Sequence, residues 1–225
     1  MLGSVQPTAY DLRFRLFSIP VRVGPSFWLV SAIFGFDYLR IDAGLFGVWM
    51  LVVFVSILVH ELGHGLTAKW LGYPPTIVLY QFGGMAFYRP DYEYTPWRAT
   101  MITAAGPLAG LGLCLVAYTW WMWGMEQFGI ILNWYVSMGT QMLIMINLWY
   151  SLFNLLPVLP LDGGRLCESV CAMLGVNNPR QIAAWSSVIV GSIVAVWFWE
   201  NGMTFNAIIF GMLAFQSTPY LHSRD

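Results

Sequence analysis

The chain has 225 residues, of which 58% are hydrophobic and only 9% are charged, against about 25% charged residues in ordinary soluble domains. A soluble protein of this size could not cover its surface with so few charges, so we expect an integral membrane protein. Ten Lys and Arg residues against eleven Asp and Glu residues give a net charge of -1, which excludes a basic surface for nucleic acid.

Six apolar segments, in chain order, predict an all-α polytopic membrane protein with about six transmembrane helices. They are residues 25–39, 45–71, 97–123, 135–156, 181–199 and 203–216. The middle four are long enough to cross, because roughly 20 helical residues span a bilayer core of about 30 Å. The first and last are shorter and are expected to be tilted or partial spans. We expect the first to be a membrane segment rather than a signal peptide, because charged residues follow it without a small-residue cleavage site.

The placement of basic residues predicts the orientation of these spans. With a cytoplasmic N-terminus, every Lys and Arg except Arg40 falls on the cytoplasmic side, as the positive-inside rule requires. Both termini are then cytoplasmic, in the cell (inner) membrane if the protein is prokaryotic.

Two segments are not expected to be spans. Residues 76–88 mix β-branched and aromatic residues around Gly83-Gly84, which predicts a β-hairpin between the second and third spans. Because open strand edges are not tolerated in lipid, this hairpin should pack on protein or line a wet cavity. Residues 154–165 contain two prolines and a Gly pair that end the fourth span, and a short amphipathic helix is expected over 166–174. With no linker in between, residues 1–225 are predicted to be one domain.

The second span contains His60-Glu61-Leu62-Gly63-His64. Residues four apart share a helix face, so both imidazoles can reach one zinc ion while Glu61 stands beside it as a general base. A chance occurrence of this motif is a poor explanation, because each ionisable group at the centre of a span costs about 2.5–3.5 kcal/mol to insert into the membrane. His222, in the polar C-terminal tail, is expected to be a solvated surface residue.

A hydrolytic zinc site needs a third protein ligand. Asp162 is the best candidate, because on the predicted topology the fourth span runs towards the same side as the HELGH span. From its position alone, an N-cap of the helix that follows is almost as good an interpretation.

The smaller side chains within or beside spans are interpreted as structural. Ser56, Asn147 and Ser151 are expected to make interhelical hydrogen bonds rather than to line a water path. The odd number of cysteines, three, gives no disulfide framework, so Cys114, Cys167 and Cys171 are expected to be buried apolar side chains.

HELGH together with NLLPVLPLDG at 154–163 resembles the site-2 protease family of intramembrane zinc metalloproteases. The two motifs, their order and their separation cover a catalytic core of about 45–164. The resemblance implies that His60, His64 and Asp162 bind one zinc ion and that Glu61 is the general base. It also implies that Asn154 holds the substrate or the oxyanion. Phe82-Gly83-Gly84 would belong to a membrane-dipping β element that receives the substrate as an added strand, with an exposed edge over 79–87.

The chain also departs from the family pattern. Gly110 stands where the GPxxN segment usually has Asn, and neither a PDZ-like insertion nor room for a CBS module is found. We therefore expect a minimal form of the family, without a PDZ or CBS domain, and we expect any regulation to come from a separate protein.

The function expected from the sequence is hydrolysis of a peptide bond in or near a transmembrane segment of a membrane-protein substrate. The partners would be that transmembrane protein or peptide and the lipid bilayer, with no nucleic acid. The alternatives are a membrane zinc transporter and a non-catalytic metal-binding membrane protein. Transport needs several binding positions along a path, which three histidines hardly supply, and Glu61 is needed for chemistry rather than for coordination.

Overall fold

The computed structural model describes residues 6–81, 83–91, 93–128 and 133–221. Helices dominate, and strands occur before α1 and between α3 and α4. In chain order the elements are β1 (Leu12–Leu16), β2 (Ile19–Val23), α1 (Pro25–Phe34), α2 (Phe36–Ile41), α3 (Ala43–Trp70), β3 (Thr76–Tyr80), β4 (Gly83–Phe87), α4 (Pro96–Phe128), α5 (Trp134–Asn154), α6 (Asp162–Met173), α7 (Pro179–Glu200) and α8 (Thr204–Ser217), followed by a 3-10 turn at Thr218–Leu221.

Within the described residues, three helices are long and apolar enough to cross a membrane: Ala43–Trp70, Pro96–Gly124 and Pro179–Glu200. They coincide with the second, third and fifth predicted spans. The fourth predicted span is the 21-residue α5, whose Gln and Asn side chains make it more polar, and the sixth is the 14-residue α8. The structure thus shows a mostly helical chain with three candidate spans, and the count of six stays a prediction.

The first apolar segment is not one continuous helix, as its prediction as a single span implied. It breaks at Gly35, between α1 and α2. The indole of Trp49 lies where a side chain at residue 35 would be, and its Nε1 donates a hydrogen bond to the Ser31 carbonyl at 2.9 Å. An aromatic ring from α3 therefore fits into the gap that the glycine leaves.

The predicted hairpin over 76–88 is confirmed as β3 and β4, but it is half of a larger sheet. The order is β1-β2-β3-β4, with β1–β2 and β3–β4 antiparallel and β2–β3 parallel. The N-terminal hairpin was not predicted, although LRFRL in β1 alternates apolar and basic residues as a half-buried strand does. Phe17 and Ser18 at its turn both have positive φ, as a two-residue hairpin turn of type I′ requires.

The apolar face of this sheet packs on the C-terminal half of α3. One buried cluster joins sheet residues such as Val21, Ile77 and Leu79 to helix residues such as Ile57 and Leu62. The helix turns that carry HELGH are thus fixed against the sheet by burial of aliphatic side chains, which is the main stabilising term in such contacts.

The chain divides into two compact units. The first contains Met1–Pro90 and Leu108–Ser151, and the second contains Asp91–Pro107 and Leu152–Asp225. In the second unit, Phe198, Ala207 and Phe210 form a buried cluster between α7 and α8, against which Phe153 and Leu156 pack. The single domain over 1–225 stays a prediction.

Candidate metal centre

His60 and His64 lie one turn apart on α3 and are 2% and 8% exposed. Their Nε2 atoms are 3.2 Å apart. Two nitrogens bound tetrahedrally to zinc at 2.0–2.1 Å stand about 3.3–3.4 Å apart, so this pair matches a shared zinc ion without rearrangement. The donor chemistry fits as well, because imidazole is a common zinc ligand.

The His60 ring is packed against an aromatic side chain from α5. Tyr150 meets it edge to face, with ring centroids 4.9 Å apart and an angle of 74°. Tyr150 also packs against the cluster between the sheet and α3. This contact was missed by sequence reasoning, because nothing in the sequence indicates which residue of α5 faces His60.

Glu61 is 4% exposed and lies directly against the first residues of β4. A Cβ at residue 84 would be 2.6 Å from both Cδ and Oε1 of Glu61, closer than side chains approach, so a larger residue there would force the Glu61 side chain or the strand to shift. Gly83 has φ +114°, and a Cβ there would be 3.0 Å from the Tyr150 hydroxyl. The Gly83-Gly84 pair thus lets backbone lie close to both side chains.

β4 is the terminal strand of the sheet, and its pairing fixes the direction of its backbone groups. The Leu79 carbonyl accepts a hydrogen bond from Gly24 N at 2.9 Å, so the backbone groups of Leu79 point away from β4. Leu79 is opposite Gly84 in the register, which makes this a non-hydrogen-bonded pair. The N–H and C=O of Gly84, and by alternation those of Ala86, therefore point to the open side of β4.

This pattern corrects the extent of the predicted edge over 79–87. Leu79 lies in β3, which is paired on both sides, with β2 and with β4, so only β4 offers an edge. Gly83 and Gly84 both lie in β4, while Phe82 lies outside the described residues, as does His222.

Asn154 and Asp162 belong to the second unit. Asn154 is the last residue of α5 and Asp162, 9% exposed, is the first of α6. The alternative of an Asp162 N-cap is wrong, because the N-cap position is occupied by Leu161 and has no side-chain hydrogen bond.

The loop before Asp162 is tied to α7 by two adjacent serines. The Ser186 hydroxyl donates a hydrogen bond to the Pro157 carbonyl at 2.5 Å, and the Ser187 hydroxyl accepts one from Leu159 N at 2.7 Å. A Cβ at Gly164 would be 2.5 Å from Leu159 N, so the start of α6 packs tightly on this loop. Sequence reasoning missed both serines, since a Ser pair in an apolar helix carries no specific signal.

Polar residues of the first unit explain why Gly110 stands where the GPxxN segment usually has Asn. Asn147 Nδ2 donates to Ser56 Oγ at 2.8 Å, which confirms the expected interhelical hydrogen bond. The Ser151 hydroxyl lies where a side chain at residue 110 would be, and Asn147 Oδ1 is 3.8 Å from that point. An Asn at 110 would therefore collide with Ser151. All three cysteines are free, with Cys114 buried and the other two half-buried.

The model of peptidase family M50 matches residues 48–125 and 121–197, which include HELGH and the DGG segment. The chain belongs to peptidase family M50, the site-2 protease family. The family predicted from the two motifs is thereby confirmed.

Individual relatives agree with this assignment. A protein named "Putative zinc metalloprotease" of Synechocystis is 32% identical over 203 residues, 79% of this chain and 51% of that protein. A zinc metalloprotease of Methanocaldococcus jannaschii is 30% identical over 182 residues, 78% of this chain and 50% of that protein. The chain thus spans about half the length of these curated relatives.

The fold has a match among solved structures as well. The site-2 protease from Methanocaldococcus jannaschii superposes with a TM-score of 0.61 and 21% identity, covering 96% of this chain and 97% of that one. At this level of identity the match supports the fold alone. The combination of helices with a small sheet is therefore shared with a site-2 protease.

Proposed function

We propose that the chain is an intramembrane zinc metalloprotease that hydrolyses a peptide bond in or near a transmembrane segment of a membrane-protein substrate. The observation that carries the proposal is the pair of buried imidazole nitrogens, 3.2 Å apart, on a helix long and apolar enough to cross a membrane. Buried ionisable groups in such a helix are costly and are normally retained for function.

The proposed ligands of one catalytic zinc ion are His60, His64 and Asp162. All three side chains are buried, and two imidazoles with one carboxylate are a common donor set of hydrolytic zinc sites. Zinc, when bound, lowers the pKa of a bound water towards about 7 and polarises a carbonyl.

Glu61 is the proposed general base. Its carboxylate takes a proton from the attacking water as the new C–O bond forms. It then gives that proton to the leaving nitrogen as the C–N bond breaks. Burial of Glu61 against Gly84 supports this role, because a base must be held in place beside the bond it acts on.

The substrate is proposed to bind as a strand added to β4. The backbone amides of a transmembrane helix form internal hydrogen bonds, so the helix must unwind locally before hydrolysis. The outward N–H and C=O groups of Gly84 and Ala86 can then pair with the freed backbone. Gly83 contributes by leaving room beside the strand, and Asn154, at the end of α5, is proposed to bind the substrate as in the family.

The proposed environment is a cell membrane, the inner membrane if the protein is prokaryotic, with six spans and cytoplasmic termini, as the positive-inside pattern supports. His60 lies 17 residues after the start of α3, about 26 Å along the helix at 1.5 Å per residue. Substrates are therefore expected to be cut towards their cytoplasmic ends. The lipid bilayer and the transmembrane substrate are the proposed partners.

The test is zinc analysis combined with membrane proteomics. Purified protein should contain about one zinc per chain, and Glu61→Gln should keep that zinc while abolishing the substrate fragments seen with the unmodified protein. Undiminished cellular function of Glu61→Gln, with no fragment lost, would favour the transporter or the non-catalytic binding protein and overturn the proposal.

A further inference from the structure

Tyr150 connects two parts of the candidate site, although neither motif includes it. Its ring lies edge-on against His60, with centroids 4.9 Å apart. Its hydroxyl lies 3.0 Å from the point where a Cβ at Gly83 would be. The side chain is half-buried, so it borders the interior without being enclosed. One phenol therefore reaches from a proposed zinc ligand to the first residue of the edge strand.

The position of the hydroxyl relates it to the backbone that would pair with β4. Gly83 has φ +114° and no side chain, so nothing from this residue separates the hydroxyl from the main chain of β4. The next residue, Gly84, is the first with outward-pointing N–H and C=O groups. Successive residues of a strand advance by about 3.3 Å, and paired strands lie about 4.8 Å apart, so a strand paired at Gly84 would run one strand spacing from the part of β4 that the hydroxyl borders.

We propose that the Tyr150 hydroxyl donates a hydrogen bond to a main-chain carbonyl oxygen of the substrate segment that pairs with β4. Tyr150 is then a substrate-binding residue that recognises the unwound backbone and not a particular side chain. A phenol O–H suits this role because it can donate to a carbonyl while still accepting a hydrogen bond from another group. The inference rests on the proposed function and adds a residue to the same site.

The competing explanation is that Tyr150 only packs His60. Tyr150→Phe separates the two, since it removes the hydroxyl and keeps the ring. Tyr150→Leu removes both and is expected to lower zinc occupancy as well. Tyr118→Phe is the matched control, because this phenol on α4 is 50% exposed and lies outside the candidate site.

The experiment measures binding of an uncleaved peptide to zinc-loaded Glu61→Gln protein in lipid nanodiscs. The probe is a fluorescent transmembrane peptide of about 22 Leu and Ala residues with a central Gly-Gly pair, made also with single amide-to-ester replacements along its centre. Adding Tyr150→Phe should raise Kd about 3- to 10-fold, the range for one neutral hydrogen bond. Zinc content should not change, and Tyr118→Phe should leave Kd unaltered.

The ester series identifies the bonded atom. An ester carbonyl is a weaker acceptor, so at one position the effect of Tyr150→Phe should shrink towards none. Equal Kd for Tyr150→Phe and its parent, an effect that is the same for every ester peptide, or loss of zinc from Tyr150→Phe would each overturn the inference. Failure of the Glu61→Gln protein to bind any of the peptides, joined with no cleavage by the unmodified protein, would overturn the proposed function and the inference with it.

Discussion

Replacing Gly84 with Ala tests whether β4 holds the proposed base in position. The added Cβ would be 2.6 Å from Glu61 Cδ and Oε1, whereas ordinary carbon contacts begin near about 3.5 Å. The carboxylate and the strand must therefore separate by about 1 Å, and a misplacement of that size costs on the order of 10²-fold in rate. We expect kcat to fall by roughly that factor while zinc content and folding are retained.

The assay is cleavage of a substrate found by proteomics, with zinc measured on the same samples and folding followed by circular dichroism. Gly47→Ala is the matched control, because it lies on the same helix as Glu61 and its Cβ would have no neighbour within 4 Å. In the Glu61→Gln background, Gly84→Ala should have no further effect on turnover, since effects of groups that act together are not additive. Unchanged kcat in folded Gly84→Ala, or a fall explained by zinc loss, would refute the reasoning.

Other predictions address the metal, the edge and the N-terminal hairpin. His60→Ala or His64→Ala should sharply lower zinc occupancy measured by mass spectrometry, and full zinc and activity in Asp162→Ala would contradict the third-ligand proposal. Ala86→Pro, which removes an outward N–H, should weaken substrate binding while the fold and the zinc content stay intact. Ala86→Gly keeps that N–H and should bind substrate like the unmodified protein. Equal substrate binding by Ala86→Pro and the unmodified protein would argue against strand addition. Hydrogen bonds from the Thr8 hydroxyl and N–H, with Arg22 nearby, hold the pKa of Asp11 below its usual range despite burial. The Asp11 carboxylate thus contributes to stability above its unfolded-state pKa of about 3.9, and this contribution is lost as pH falls through the folded-state pKa. The protection factors of the amides in β1 and β2, which correct for the intrinsic pH dependence of exchange, should therefore fall there. Unchanged protection factors, or the same acid response in Asp11→Asn, would count against this role.

Local patterns were sufficient for part of this fold and site. HELGH needs only helix periodicity to bring two imidazoles to one face, and the β-branched segment after Pro74-Pro75 forms the strands that its composition indicates. The break at Gly35 and the burial of Glu61 against Gly84 could not be predicted, because each depends on a partner from a distant element. The same holds for Tyr150, since only the packing of α5 on α3 determines which of its residues faces His60.

The parallel pairing of β2 with β3 constrains how the chain is threaded through the bilayer. Strands that share hydrogen bonds between Val21–Val23 and Ile77–Leu79 lie on one side of the membrane, so the chain between them must cross an even number of times. If α3 crosses once, α1 and α2 must make the return passage, yet their 10 and 6 residues reach only about 25 Å. A passage shorter than the hydrocarbon core is accommodated by local thinning of the bilayer. Since α1 packs Phe27 into the same cluster as Leu58 and Leu62, the thinned lipid would lie beside HELGH, which would shorten the route by which water reaches the candidate metal centre.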